Sequence, residues 1–416
     1  MTSGSARLPF VVYVLAVGTF LMLTTEFVVA GLLPEIAGDL QVSVAQAGLL
    51  ITVFAVGMIV GAPTMALLTR RTPRRVTLMS ALAVFAVGHV VVALSGSFPV
   101  LLAARFGTAW ATGAFWAVAS VVATRAAGPS GSSRALGIVG AGGMLANVVG
   151  VPIGAFAGQL SGWRGPFWAL AVLAVAAVPL VARHVPHEED DAPTVTVGSE
   201  LGALRSGRLW LVLAACATTT GGVLSAYSYV SPLLTDRAGI APTWVPLVLV
   251  GFGIGSLIGT VVGGRLGDAH PHATTTAVAV STTVVLLAIA MLSAHPGPTV
   301  LLVVLLGVLG LSANPVLSSL ALRFAGVAPT LGVALSVSAY NLGTAAGSGL
   351  AGRALDSDLG AAGPAGVGTI IAALTVVPTV GIALLGRSHG DGVSDTTVTE
   401  VPEVMTRGEL DPAGAR

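Results

Sequence analysis

From Phe10 to Leu33 the chain reads FVVYVLAVGTFLMLTTEFVVAGLL, and apolar runs of similar length recur to about residue 386. About 20 apolar residues in a helix cross roughly 30 Å of hydrocarbon, so this recurrence constrains the fold more than any other feature. Strands would not serve, because open sheet edges cannot face lipid and barrel strands give a weaker hydropathy signal. Composition agrees: 54% of residues are hydrophobic and 9% charged, with mean hydropathy +0.92, whereas soluble domains carry roughly a quarter charged residues. The expectation is an all-α, multi-pass membrane protein. The first run is too long for the apolar core of a signal peptide and is kept as a span.

Hydropathy and punctuation give twelve helices. Helices 1 to 6 are expected over 9–33, 45–69, 76–96, 98–123, 134–159 and 164–183; helices 7 to 12 over 209–234, 243–267, 273–294, 297–322, 330–353 and 366–386. All nineteen basic residues are Arg, which with the Ala, Gly and Val excess suggests a GC-rich bacterial source. Arg70, Arg71, Arg74 and Arg75 follow helix 2, Arg125 and Arg134 flank the next even-numbered connection, and Arg183, Arg205 and Arg208 surround the middle segment. The connection after helix 3, SGS, has no charge. Positive-inside bias then places both termini in the cytoplasm. The polar stretch 184–208 reads as a cytoplasmic linker between six-helix bundles at 1–183 and 209–386, and 387–416 as a disordered tail. A faint repeat, helix 4 against helix 10 and helix 5 against helix 11, fits duplicated halves around a central site. A net charge of +1 gives no hint of nucleic acid, and one cysteine, Cys216, excludes an intrachain disulfide.

Ionisable residues inside the membrane are costly, so each is a functional candidate. Of eighteen acids only Glu26 lies well inside a span, and Arg105 is the corresponding base. Glu26 lies seven residues before Leu33 and Arg105 seven after Phe98, so at about 1.5 Å per residue both sit about 10 Å below the outer boundary. An acid and a base at one depth are natural partners. Either Glu26 stays protonated and bonds a neighbour, or it carries a proton or binds a cation, tuned by Arg105. Thr112 and Trp116 share a stripe of helix 4 with Arg105; Ser225 and Tyr229 share one with Gly222 on helix 7. These, with Asn147, Asn314 and Asn341, are candidate cavity residues, although Asn at such depth also bridges helices. His89 reads as making one interhelical bond rather than as a relay.

Glycine recurs at every fourth position on two helices. Helix 5 carries Gly142, Gly150, Gly154 and Gly158 with Ala146; helix 8 carries Gly251, Gly255, Gly259, Gly263 and Gly267. Each forms a ridge along one face where backbones approach. Pro152 leaves the carbonyl of Val148 without its usual partner and predicts a kink. Two matched ridges and a kink suggest surfaces that slide or rock.

Together these features resemble the major facilitator superfamily. After helix 2 that family runs Gly-x-Leu-Ala-Asp-Arg-x-Gly-Arg-Arg; here ALLTRRTPRR keeps Arg71, Arg74 and Arg75, with Arg70 in place of the Asp and Pro73 of the Gly. GRLGDAHPH after helix 8 keeps Gly264 and Asp268. The resemblance makes these conformational-switch residues together with Gly150, Pro152, Gly154, Gly255 and Gly259. GVPIGAFAG looks like the helix-5 motif of proton-driven drug antiporters, and Arg105 falls on an Arg implicated in proton coupling. The family fold also implies that helices 5 and 8 meet across the halves, setting the two ridges face to face. LPFVVYVLAVGTFLMLTTEFVVAGLLPEIAGDL, GWRGPFW and WVPLVLVGFGIGSLIGTVVGGRLGD look like the chloramphenicol-efflux branch, near the arabinose-efflux-like exporters. The implied activity is drug:proton antiport across the bacterial inner membrane by a monomer. A proton gradient would supply the energy, with no cofactor or metal. An exporter of sugars or of a natural product, or a passive facilitator, is the alternative. HExxH, a phosphate-binding loop and a channel filter are missing from the sequence, so an enzyme or a channel is not expected.

Overall fold

The computed structural model describes residues 8–68, 72–128, 131–186, 205–326 and 329–390. Helix 1 spans Phe10–Val28, helix 2 Val44–Leu68, helix 3 Arg74–Leu94, helix 4 Phe98–Ala127 and helix 6 Gly165–His184. In the second half, helix 7 spans Gly207–Ser228, helix 8 Val245–Ala269, helix 9 Pro271–Leu292, helix 11 Pro329–Leu355 and helix 12 Gly363–Gly390. Proline in the first turn opens helices 4, 6, 8 and 9, where its missing N–H costs nothing.

Helices 5 and 10 are interrupted. Helix 5 runs Ser132–Leu145, passes through a π turn at Ala146–Gly150 and continues as Val151–Ser161. Within that turn the Val151 N–H reaches the Ala146 carbonyl, one residue further than in an α-helix. Pro152 next to it has no N–H to offer, and a π turn stands where the sequence predicts a kink. Helix 10 runs Pro296–Gly310, breaks, and resumes as Asn314–Phe324. Pro315 removes the donor due to the Leu311 carbonyl; the Asn314 N–H takes that carbonyl instead at 3.1 Å. The sequence had suggested one unbroken helix there.

Eleven helices among the described residues are long and apolar enough to cross a membrane. Helix 11, 27 residues long, is the remaining span of the twelve-helix plan and the least apolar. It packs between helices 2 and 7, where the Gly343 face meets the backbone of Ala217 and the Gly347 face that of Gly221. Small residues suit it to that enclosure and lower its hydropathy. Of the expected linker, 187–204 lies outside the described residues. Helix 12 continues past the expected end at 386 to Gly390, and the remainder of the tail lies outside them.

Among the described residues the two halves share a core at one end only. At the end bearing Leu33, a single apolar cluster joins Val28, Leu32, Leu50 and Phe167 of the first half to Tyr227, Leu249, Phe252 and Ala351 of the second. At the opposite end each half has its own cluster, one around Leu15, Leu82 and Val181 and one around Leu213, Leu317 and Ile382. The first end, called outer below after the orientation the Arg pattern predicts, joins the halves, and among the described residues each half keeps its own core at the other.

The glycine ridges do not face each other. On helix 5, Gly142 abuts Ala16, Gly150 abuts Thr24, Gly154 abuts Val28 and Gly158 abuts Leu32, all of helix 1 or its continuation. On helix 8, Gly255, Gly259 and Gly263 lie against the backbone of Val304, Val308 and Ser312 in helix 10 and its break. Both ridges therefore serve close packing inside one half. Contact between helices 5 and 8 falls one face away, where Gly253 meets Val148 and the Asn147 carbonyl in the π turn.

Candidate functional site

The structure brings Arg105 and Glu26 together, through the backbone rather than as an ion pair. Arg105 is 1% exposed. Its Nη1 donates to the Thr25 carbonyl at 2.9 Å and to Thr25 Oγ1 at 2.9 Å. Nη2 donates to the Glu26 carbonyl at 3.3 Å and Nε to the Leu50 carbonyl at 3.3 Å. The guanidinium carbon lies 4.2 Å from the centre of the Phe54 ring, a favourable site for a cation. Thr25 and Glu26 belong to the last turn of helix 1, where carbonyls lack intrahelical partners and the helix dipole is negative. Arg105 thus caps helix 1 and holds it to helices 2 and 4.

Glu26 as a whole is half-buried, and its carboxylate takes no hydrogen bond from a described side chain. Thr25 faces helices 3 and 4, whereas the Phe27 ring meets Tyr227 of helix 7 at 6.0 Å. Successive residues turn by about 100° around a helix, so Glu26 lies on the arc between the face turned to its own half and the face turned to the other. Tyr227 stacks on Phe252 at 4.1 Å, and these three rings close the outer end beside Glu26.

Two residues the sequence had left in the background complete this cluster. His89 Nδ1 is 2.7 Å from the Phe85 carbonyl and Nε2 is 2.8 Å from Thr25 Oγ1. Thr25 is the shared link between His89 and Arg105. A hydroxyl beside the acid that lies well inside a span was the available signal, but Thr usually satisfies itself on its own helix, as Thr24 does with the Phe20 carbonyl at 2.7 Å.

The other candidates scatter. Thr112 is buried and donates to the Thr108 carbonyl at 2.8 Å; Trp116 is half-buried beside Gly143 of helix 5. Ser225 donates to the Gly221 carbonyl at 2.6 Å and packs on Gly368 of helix 12, so it lines a helix contact and not an open face. Tyr229 is likewise buried: its hydroxyl donates to the Ser348 carbonyl at 3.0 Å and fills the space above Gly48. In this structure the expected helix-7 stripe thus lies in contacts between helices. Asn147 contributes its backbone to the contact with Gly253. Asn314 accepts the Tyr340 hydroxyl on its carbonyl at 2.9 Å, and Asn341 donates to the Val337 carbonyl at 3.0 Å. Both Asn Oδ1 atoms are buried without a partner among the described residues, as are Thr220 Oγ1, Ser228 Oγ, His272 Nδ1 and Thr282 Oγ1 of the same half, so the two amide oxygens are among several polar atoms there with hydrogen-bonding capacity to spare. Arg74 and Arg75 open helix 3, Gly264 and Asp268 lie near the inner end of helix 8, and Arg71 lies outside the described residues.

Across the halves, Thr52 and Ser348 hydroxyls are 2.8 Å apart, and Gln159 donates to the Pro242 carbonyl at 2.6 Å. Ser348 itself donates to the Thr344 carbonyl at 2.7 Å, so Thr52 is the donor between halves. Both bonds lie towards the outer end.

Comparison with known proteins agrees with this architecture. The Major Facilitator Superfamily matches residues 15–352. The chain is 37% identical over 378 residues to a chloramphenicol resistance protein of Streptomyces lividans, covering 89% of this chain and 95% of that one. It is 32% identical over 363 residues to the inner membrane transport protein YdhP of Escherichia coli (strain K12), covering 87% and 93%. In fold it is similar to a bacterial homologue of the human lysosomal transporter Spinster, in an inward-facing and occupied conformation. The TM-score is 0.71 at 16% identity, with 92% of this chain and 96% of that chain covered. The chain belongs to the Major Facilitator Superfamily, as a multi-pass bacterial membrane protein and secondary transporter rather than an enzyme.

Proposed function

We propose that the protein exports a small amphipathic drug, a phenicol such as chloramphenicol, in exchange for protons by alternating access. The observation that carries the coupling is the placement of Glu26: a half-buried residue whose carboxylate has no side-chain donor among the described residues, next to a buried guanidinium and between the face turned to its own half and the face turned to the other. Such a group gains and loses a proton more readily than one locked in an ion pair. The drug class rests on the likeness to the chloramphenicol resistance protein. With the Arg-rich connections in the cytoplasm, the closed end faces outward and the described state opens inward. Drug entering from the inside displaces the proton from Glu26; its departure outside lets the proton return.

Everted vesicles acidified inside should take up labelled chloramphenicol and release protons as they do so. Uptake indifferent to an uncoupler would make the protein a passive facilitator, and absence of uptake would overturn the phenicol assignment. A second expectation follows from the outer hydrogen bonds. In the double variant Thr52→Cys, Ser348→Cys, oxidation should join the halves and stop export, and reduction should restore it. Full export by the oxidised, cross-linked protein would show that the outer end need not open.

A further inference from the structure

We propose that His89 is a positioning residue for Arg105, acting through the hydroxyl of Thr25. A carbonyl can only accept, so the 2.7 Å contact with Phe85 places the ring hydrogen on Nδ1. In the neutral ring Nε2 is then an acceptor, and the Thr25 hydroxyl must donate to it across 2.8 Å. With its hydrogen committed to His89, Thr25 Oγ1 turns a lone pair towards Arg105 Nη1 at 2.9 Å. The direction of each bond is thereby fixed in series from helix 3 through helix 1 to helix 4. Thr25 and His89 are 0% and 1% exposed, so water does not compete for either.

The surroundings hold this arrangement. Phe85 lies 3.9 Å from the His89 ring centre and Phe167 of helix 6 lies 5.8 Å from it; neither can exchange a proton. Arg105 on helix 4 is the charged group facing the ring, with Glu26 following Thr25 on helix 1. Turning the Thr25 hydroxyl towards Arg105 would set two donors against each other and release one of the bonds that hold the guanidinium on the last turn of helix 1. His89 thus sets where the Arg105 charge sits relative to Glu26.

The consequence for coupling rests on the proton-exchange reading; the hydrogen-bond chain itself does not, so two measurements separate them. The first is nitrogen NMR of the full-length protein with labelled imidazoles, the His89 signal being assigned by its loss in His89→Phe. It should report a neutral Nδ1–H tautomer between pH 5 and 9. An Nε2–H tautomer, or a ring that titrates in this range, overturns the proposal whatever the protein transports. The second compares uphill export with downhill exchange. His89→Phe and Thr25→Val should each lower the ratio of uphill to downhill rate about tenfold and displace the pH profile of export. The double variant should be no worse than either single, because both cut the same chain. Thr25→Ser, which keeps the hydroxyl, should recover most of the ratio lost in Thr25→Val. Equal loss of both rates with an unmoved pH profile would show a purely structural role and sink the proposal. If the parent exports drug without moving protons, the coupling reading falls and the NMR result alone decides the hydrogen-bond chain.

Discussion

Glu26→Gln is expected to reach the membrane at parental levels, bind drug, and lose uphill export to the background of vesicles without the protein. The amide keeps the size and the hydrogen bonds of a protonated carboxyl but has no proton to exchange. The structure adds a reason for the folding half of this expectation. Breaking a buried ion pair strands a charge at a cost of about 3–5 kcal/mol; here Arg105 grips the carbonyls of Thr25 and Glu26, which the substitution leaves in place. A melting temperature within a few degrees of the parent checks this. Drug-induced proton release should vanish, while downhill exchange persists, and Glu26→Asp should retain part of the coupled rate. Uphill export by Glu26→Gln at the parental rate, still abolished by an uncoupler, would put the proton on another residue.

Two leucine substitutions on helix 8 should fail in different ways. In Gly259→Leu the new Cβ would meet the Val308 carbonyl group, with its carbon only 2.7 Å away. Helices 8 and 10 of one half would have to separate, at or beyond the roughly 1–3 kcal/mol of ordinary overpacking. Membrane levels and melting temperature should fall together. In Gly253→Leu the Cβ would meet the Val148 Cα at 2.7 Å and the Asn147 carbonyl at 2.9 Å, across the two halves. Neither half's own core is touched, so levels should stay near parental. The outer-closed state should become rare, export should stop, and oxidative joining of cysteines at 52 and 348 should drop about tenfold. Parental export by Gly253→Leu would mean that helices 5 and 8 do not need this approach.

Much of this was legible in the sequence because a bilayer simplifies the rules. Runs of about twenty apolar residues marked the spans, and an acid and a base at equal depth marked Glu26 and Arg105. What holds Arg105 was not legible: three of its acceptors are carbonyls of Thr25, Glu26 and Leu50, and every residue type has a carbonyl. The glycine period was read correctly, but a period names a face of a helix and not the neighbour it meets. Gly259 accordingly found helix 10 rather than helix 5. Tyr229 and Ser225 share a stripe with Gly222 for packing reasons, and nothing in their spacing distinguishes a buried stripe from a wet one. Pro315 could have signalled the break in helix 10; the Tyr340 hydroxyl that reaches across to Asn314 could not be foreseen.

Helix 11 carries a consequence for how the chain is made. Its Gly343 and Gly347 faces press on the backbone of helix 7, and the Ser348 hydroxyl bonds Thr52 of helix 2. A segment this rich in small and polar groups gains little from lipid alone. It emerges from the ribosome after helices 2 and 7 are already threaded, and their surfaces offer what the bilayer does not. Its insertion is therefore expected to depend on helices 2 and 7 more than that of the other spans does, and the contacts that hold it tie the second half to the first.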